Sequence, residues 1–142
     1  MTVVVDASVA AKWLFHEKDA EKARALLGEA ETGRLSLLAP DLLPAEVANS
    51  LWKRVLREGL QPREVRAHYL RFMEFCPALV RISSLTEPAL GLALAHRHSV
   101  YDCLYVALAL ETPCDLVTAD ERLYRAFNSS FPQVRLLRDW RV

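Results

Sequence analysis

The chain has 142 residues, of which 52% are hydrophobic, and it carries 18 basic and 18 acidic side chains. This length predicts a single domain spanning residues 1–142. The even charge excludes a grossly basic nucleic-acid binder and an acidic disordered tail, although a local basic patch is still compatible with a nucleic-acid substrate. With four Gly, seven Pro and no biased run, the chain is neither collagen-like nor of low complexity.

Three cysteines and two short apolar runs bear on where the protein works. Cys76, Cys103 and Cys114 form no C-x-x-C pair, and such an odd, sparse set is typical of a reducing interior. The N-terminal run Thr2–Val5 is too short for a signal peptide, and the run Cys103–Leu110 falls well short of the roughly 20 residues that cross a bilayer. We therefore expect a cytoplasmic protein without a membrane segment.

Hydrophobic spacing and turn residues predict alternating strands and helices in the first half of the chain. Val3–Val5 is a β-branched run typical of a strand buried on both faces, and Gly59 ends a long helix. The predicted elements are a strand at Val3–Val5, a helix at Ser8–Leu14 capped by Ser8, a helix at Glu17–Ala30, a strand at Leu35–Ala39 and a helix at Asp41–Glu58.

The second half repeats this alternation. Its predicted elements are helices at Pro62–Phe75, Glu87–His96, Val100–Leu110 and Glu121–Phe127, and strands at Leu79–Ile82, Asp115–Thr118 and Val134–Leu137. Strands that alternate with helices imply crossover connections and a parallel sheet covered on both sides. The predicted fold is therefore α/β: a three-layer α/β/α sandwich with a central, mainly parallel sheet.

Four carboxylates lie at places that favour a shared site. Asp6 and Asp120 each follow an apolar strand, and ligands of open parallel sheets bind beyond the carboxyl ends of the strands. Glu46 lies between apolar neighbours on a predicted helix, and Asp102 lies in the most apolar segment of the chain. If the two strands are near the sheet centre, these side chains face one crevice.

Each carboxylate also has an ordinary structural explanation. Asp6 fits a turn or cap, and Asp120 fits the N-cap of the helix Glu121–Phe127. Ser99 and Asp102 match a capping box, and Glu46 fits a solvated residue near a helix N-terminus. The conjunction of all four is harder to explain this way, because ionised carboxylates gathered in a crevice repel one another and lose hydration.

A hard divalent cation would stabilise such a cluster. Mg²⁺ and Mn²⁺ prefer carboxylate and water oxygens, and the absence of His or Cys from the set disfavours zinc. The chemistry that uses such a site is hydrolytic phosphoryl transfer, in which the metal activates water and stabilises negative charge.

Four motifs in this order resemble the PIN domain and, more narrowly, the VapC-type toxin ribonucleases. They are Val-Val-Asp6-Ala-Ser8-Val, Pro44-Ala-Glu46-Val-Ala-Asn49, Tyr101-Asp102-Cys-Leu-Tyr105 and Leu116-Val-Thr118-Ala-Asp120. The resemblance implies that Asp6, Glu46, Asp102 and Asp120 form a Mg²⁺ site, in which Mn²⁺ substitutes, for endoribonuclease cleavage. It also implies a homodimer and a small antitoxin that blocks the acidic crevice. Cys103 is a mild departure, since a small residue usually follows the third motif's Asp.

Other residues are given supporting or structural roles. Ser8 and Thr118 are candidates to support the site, Ser8 through a metal-bound water and Thr118 through a hydrogen bond to a ligand. Trp13, Trp52 and Trp140 are interpreted as core or interface aromatics. The histidines share no ligand spacing and are interpreted as structural or surface residues: His16, His68, His96 and His98.

Two surfaces are expected around the site. The amphipathic helices in the range 41–75 are where the antitoxin would bind. Eight basic residues between Lys53 and Arg97, against four acidic ones, either form a phosphate-binding rim or make ion pairs on solvated helix faces.

Three other functions compete with the nuclease. A haloacid-dehalogenase type of phosphoryl enzyme also has an Asp after its first strand, but its second Asp, two residues on, is Ser8 here. A receiver domain would need paired acidic residues where Thr2–Asp6 supplies one. A PIN-like module that only binds a partner should have lost a carboxylate, and all four are present.

Overall fold

The computed structural model describes residues 1–141 and contains five strands and seven α-helices. The strands are β1 (Thr2–Val5), β2 (Ser36–Pro40), β3 (Ala78–Val80), β4 (Asp115–Thr118) and β5 (Val134–Leu136). The helices are α1 (Ala7–Leu14), α2 (Ala20–Glu31), α3 (Leu43–Glu58), α4 (Pro62–Glu74), α5 (Thr86–His96), α6 (Val100–Glu111) and α7 (Glu121–Phe127).

The sheet has the order β3-β2-β1-β4-β5, and every strand pair in it is parallel. The chain builds outward from β1 through β2 to β3 and then returns to the other side of β1 for β4 and β5. The reversal therefore falls between β1 and β4, which is the switch point where open parallel sheets leave a crevice. The predicted three-layer α/β/α fold is confirmed.

The core explains why these segments form these elements. Val3, Val4 and Val5 have no exposed surface, as predicted for a strand covered on both faces. Helix α6 packs against β1, β2 and β4, and its residues Cys103–Ala109 are all buried. Because α6 is surrounded by protein, its apolar residues continue around the whole helix, and no amphipathic stripe appears.

Several predicted boundaries shift by one to three residues, and the largest shift has a backbone cause. Helix α2 begins at Ala20, not Glu17, because Asp19 takes the left-handed conformation (φ 62°). The third strand is shorter than predicted, since Ile82–Ser84 form a 3₁₀ turn after Arg81. The predicted end of α3 at Gly59 is confirmed, with φ 67° in the left-handed region that glycine adopts without strain.

The prediction that Ser8 caps the first helix is wrong. Helix α1 begins at Ala7, and its N-cap is Asp6, whose side chain accepts a hydrogen bond from Val9 N–H at 3.2 Å. The strand ends and the helix begins at the same carboxylate, which moves Ser8 into the first turn of α1. The Ser8 hydroxyl is thereby free to contact the neighbouring strand.

Candidate active site at the switch point

Asp6 lies at the centre of a buried polar cluster between β1 and β4. It is only 6% exposed, and its carboxylate accepts three hydrogen bonds. Ser8 Oγ donates to Oδ1 at 2.5 Å, Val9 N–H donates to the same oxygen, and the Thr118 hydroxyl donates to Oδ2. Both residues predicted to support the site, Ser8 and Thr118, therefore contact Asp6.

Burial dominates the electrostatics of Asp6. Loss of hydration raises the pKa of this carboxyl group to about 6, although the hydrogen bonds from Ser8, Thr118 and Val9 oppose the shift. The charge of Asp102 adds a further increase to the pKa. Asp6 is thus an anion held in place by donors but not neutralised by a cation.

Glu46 and Asp102 approach the same cluster from two helices. Glu46 lies in the first turn of α3 and Asp102 in the first turn of α6. Burial raises the pKa of Glu46, and the charge of Asp102 raises it further, against a hydrogen bond from Tyr105 that lowers it. Asp102 therefore acts electrostatically on both Asp6 and Glu46, and the structure brings these three carboxylates together.

Asp120 joins this cluster through its backbone. Its N–H donates to Thr118 Oγ1 at 3.0 Å, whereas its carboxylate Oδ1 caps α7 by accepting from Arg122 N–H at 2.8 Å and Leu123 N–H at 3.3 Å. Asp120 therefore caps α7, which is one of the two roles that its position in the sequence predicts. Asp102 does not cap a helix with its side chain: Ser99 Oγ accepts from Asp102 N–H at 3.2 Å, and the Asp102 carboxylate turns to His98.

The donor chemistry of the cluster suits a hard divalent cation. In the described part of the chain, no Lys or Arg forms an ion pair with Asp6, Glu46 or Asp102. Three partly or fully buried carboxylates without a fixed positive partner are what Mg²⁺ or Mn²⁺ would neutralise. Among residues 1–141, however, no three or more His, Cys, Asp or Glu side chains lie close enough together to hold a metal ion as they stand. The three carboxylates match such a cation in donor chemistry, and the charge of Asp102 acts on the other two.

Two residues of the site were not selected from the sequence. Tyr105 Oη donates to Glu46 Oε1 at 2.7 Å, and His98 Nε2 lies 2.8 Å from Asp102 Oδ2. Tyr105 follows Asp102 by three residues, so both lie on one side of α6, and this spacing was the available signal. His98 precedes Asp102 by four residues but lies outside the helix, where helical spacing makes no prediction.

The eight basic residues between Lys53 and Arg97 were predicted either to form a phosphate-binding rim or to make ion pairs, and the structure separates them. Arg54 forms ion pairs with Glu17 at 2.6 Å and Glu58 at 3.4 Å, and its guanidinium stacks 3.7 Å from the centre of the Phe15 ring. Arg54 therefore makes structural contacts. The other seven are exposed: Lys53, Arg57, Arg63, Arg66, Arg71, Arg81 and Arg97.

Exposure also separates the three tryptophans. Trp13 and Trp140 are 3% and 8% exposed and belong to the core, whereas Trp52 on α3 is 55% exposed.

In the range 1–141, no helix is both long and apolar enough to cross a membrane.

Comparison with known proteins identifies the family. The model of the PIN domain matches residues 3–127. Ribonuclease VapC3 of Pyrobaculum aerophilum is 37% identical over 130 residues, which cover 89% of this chain and 95% of that protein. Ribonuclease VapC1 of Mycobacterium tuberculosis is 35% identical over 91 residues, covering 62% of this chain and 65% of that protein.

Two solved structures share the fold. The crystal structure of PAE2754 from Pyrobaculum aerophilum superposes with a TM-score of 0.70 at 20% identity, covering 97% of this chain and 93% of that one. The structure of Mycobacterium tuberculosis VapC20, described as a Sarcin-Ricin loop cleaving toxin, gives a TM-score of 0.69 at 16% identity, with 94% and 98% covered. The chain therefore belongs to the PIN domain family, among its VapC-type members.

Proposed function

We propose that this protein is a Mg²⁺- or Mn²⁺-dependent endoribonuclease and the toxin of a type II toxin–antitoxin pair. The observation that carries the proposal is the group of three carboxylates, Asp6, Glu46 and Asp102, at the switch point of the sheet, with His98 beside Asp102 and no Lys or Arg ion-paired to any of the three in the described part of the chain. The similarity to curated VapC ribonucleases supports RNA as the substrate.

Asp6, Glu46 and Asp102 are the residues that would hold the metal, with Asp120 at the margin of the site. A bound Mg²⁺ supplies a Lewis acid that activates water and stabilises the negative charge on the phosphate. Ser8 and Thr118 keep Asp6 oriented by donating to both of its oxygens. In the reaction, water adds to phosphorus and one P–O bond of the RNA backbone breaks, which leaves a phosphate on one fragment and a hydroxyl on the other.

The substrate must also be attracted to an acidic crevice. The seven exposed basic residues between Lys53 and Arg97 are available to bind RNA phosphates, and such contacts would make substrate affinity depend on salt. We place the protein in the cytoplasm, a location that is consistent with an RNA substrate.

Exposed apolar side chains support two protein interfaces, on two pairs of packed helices. On α3 and α4, Trp52, Leu56, Leu70 and Met73 are 43–66% exposed, and we assign this surface to the antitoxin. On α5 and α6, Leu90, Leu94 and Tyr101 are 48–75% exposed, and we assign that surface to a homodimer. Exposed patches of this kind are typical of interaction sites.

The experiment is cleavage of an end-labelled structured RNA by the purified protein with Mn²⁺, with EDTA, and with the variant Asp102→Asn. We expect cleavage to disappear with EDTA and to fall by at least about 100-fold in the variant, because a metal ligand is lost. The variant should stay folded, because the backbone N–H that Ser99 caps is retained. Asp139→Asn, which changes an exposed carboxylate, is the matched control.

Three results would contradict the proposal. Full activity of folded Asp102→Asn would remove Asp102 from the site, and cleavage that survives EDTA would exclude metal dependence. A protein that binds no Mn²⁺ and cleaves no RNA would instead fit a PIN-like module that only binds a partner.

A further inference from the structure

Tyr105 places a hydroxyl group where the fold has no packing use for one. It lies in the buried stretch Cys103–Ala109 of α6, and only 1% of its surface is exposed. The other side chains of this stretch are aliphatic apart from Cys103. A phenylalanine would fill the same space without bringing a polar atom into the core.

The hydroxyl is bonded across the molecule. Tyr105 Oη donates to Glu46 Oε1 at 2.7 Å, and Glu46 lies 59 residues earlier, on α3. A buried hydroxyl without a partner is destabilising, so the Tyr105 side chain is compatible with the core only while Glu46 is placed there.

The contact with Tyr105 gives the two carboxylate oxygens of Glu46 different surroundings. Oε1 accepts from Tyr105, whereas no residue in the range 1–141 hydrogen-bonds Oε2. No buried side-chain oxygen of the described chain lacks a partner, so Oε2 must reach solvent-accessible space. One oxygen of Glu46 is thus anchored in the core, and the other is available to a ligand.

We propose that Tyr105 is a positioning residue that fixes the Glu46 carboxylate with one oxygen free for the metal site. This inference rests on the proposed function, because it assigns Glu46 to that site. The bond also joins the first turn of α3 to α6, the helix that carries Asp102 three residues before Tyr105. Two carboxylates on separate helices are thereby kept in one arrangement, and hydrogen bonds of this kind orient metal ligands in proteins.

The test uses Tyr105→Phe, which removes the hydroxyl and keeps the ring. Tyr124→Phe is the matched control, because Tyr124 on α7 packs against the core and its hydroxyl makes no hydrogen bond within residues 1–141. Mn²⁺ binding to the RNA-free protein is measured by electron paramagnetic resonance, beside RNA cleavage and thermal unfolding. We expect Tyr105→Phe to weaken Mn²⁺ binding by about 10-fold, the usual effect of removing a hydrogen bond to a metal ligand. Tyr124→Phe should bind Mn²⁺ like the wild type.

A double-mutant cycle with Glu46→Gln separates positioning from packing. If Tyr105 acts through Glu46, Tyr105→Phe has no further effect on Mn²⁺ affinity in the Glu46→Gln background. If the hydroxyl serves stability alone, Tyr105→Phe lowers the melting temperature while the folded protein binds Mn²⁺ with unchanged affinity, and the inference is overturned. A wild-type protein that binds no Mn²⁺ overturns the metal site and this inference together. Binding by the wild type and equal binding by Tyr105→Phe overturns this inference alone.

Discussion

Thr118 and Asp6 join the ends of the two central strands. The Thr118 hydroxyl donates to Asp6 Oδ2, while its oxygen accepts from Asp120 N–H at 3.0 Å. Thr118 has no exposed surface, and its hydroxyl lies 3.4 Å from Ser8 Oγ. One buried hydroxyl therefore connects two of the four carboxylate residues proposed for the site.

Replacing Thr118 by Val should damage both stability and activity. The substitution keeps the shape but removes the donor to Asp6 and the acceptor for Asp120, so we expect a loss of about 1–3 kcal/mol in the free energy of unfolding. Cleavage should fall about 10-fold or more, because Asp6 loses an orienting bond. Thr118→Ser retains the hydroxyl and should recover most of both quantities. Urea unfolding and RNA cleavage measure the two effects, and equal behaviour of the Val and Ser variants would argue against this role.

The buried Asp6 should make stability depend on pH in an unusual direction. Its pKa is raised to about 6 in the folded protein, so between about pH 4 and pH 6 the folded state binds more protons than the unfolded state. The free energy of unfolding contributed by this group therefore falls as the pH rises through that window, by an amount on the order of 2 kcal/mol. Asp6→Asn should abolish this decline.

Urea unfolding from pH 4 to pH 7.5 measures this effect, with Asp139→Asn as the exposed control. In the wild type, added Mg²⁺ should restore stability at pH 7.5, because a cation neutralises the ionised carboxylate. An identical pH slope in the wild type and Asp6→Asn would show that another group is responsible.

His98 should support Asp102. Its ring nitrogen lies 2.8 Å from Asp102 Oδ2, and the ring packs edge-on against Phe127 with centroids 5.5 Å apart. His98→Ala should lower Mn²⁺ affinity and cleavage by about 10-fold or more. His98→Gln offers an amide N–H at a similar reach and should recover part of the loss. His68→Ala, which changes a histidine that packs against Phe15, is the control. No change in His98→Ala would leave the histidine a purely structural role.

A charged substitution should have different effects on the two exposed apolar surfaces. Leu94→Glu places a charge on α5 and should convert a dimer into a monomer in light-scattering measurements, with antitoxin binding retained. Leu56→Glu on α3 should leave the oligomeric state unchanged and weaken capture of the proposed antitoxin. The reverse pattern would exchange the two assignments, and an unchanged pair would remove both.

The fold class and the order of the elements could be predicted from the sequence, because burial leaves a pattern along the chain. Val3–Val5 and Cys103–Leu110 are apolar without interruption, and in the structure Val3–Val5 and the stretch Cys103–Ala109 are buried. The reversal in strand order that makes β1 and β4 neighbours brings Asp6 close to Thr118 and the backbone of Asp120. Parallel strands with crossover helices made this placement predictable in outline.

The side chain that hydrogen-bonds each carboxylate could not be predicted from the sequence, because these contacts depend on the tertiary structure. Tyr105 reaches Glu46 across 59 positions and Thr118 reaches Asp6 across 112, and no local pattern encodes such pairs. The sequence likewise predicts Ser8 as the cap of α1, although Asp6 takes that role. Both residue types are good caps, and the choice depends on where the sheet ends the strand. Periodicity records which side chains are buried, whereas the partners of a buried polar group are set by the packing of whole helices against the sheet.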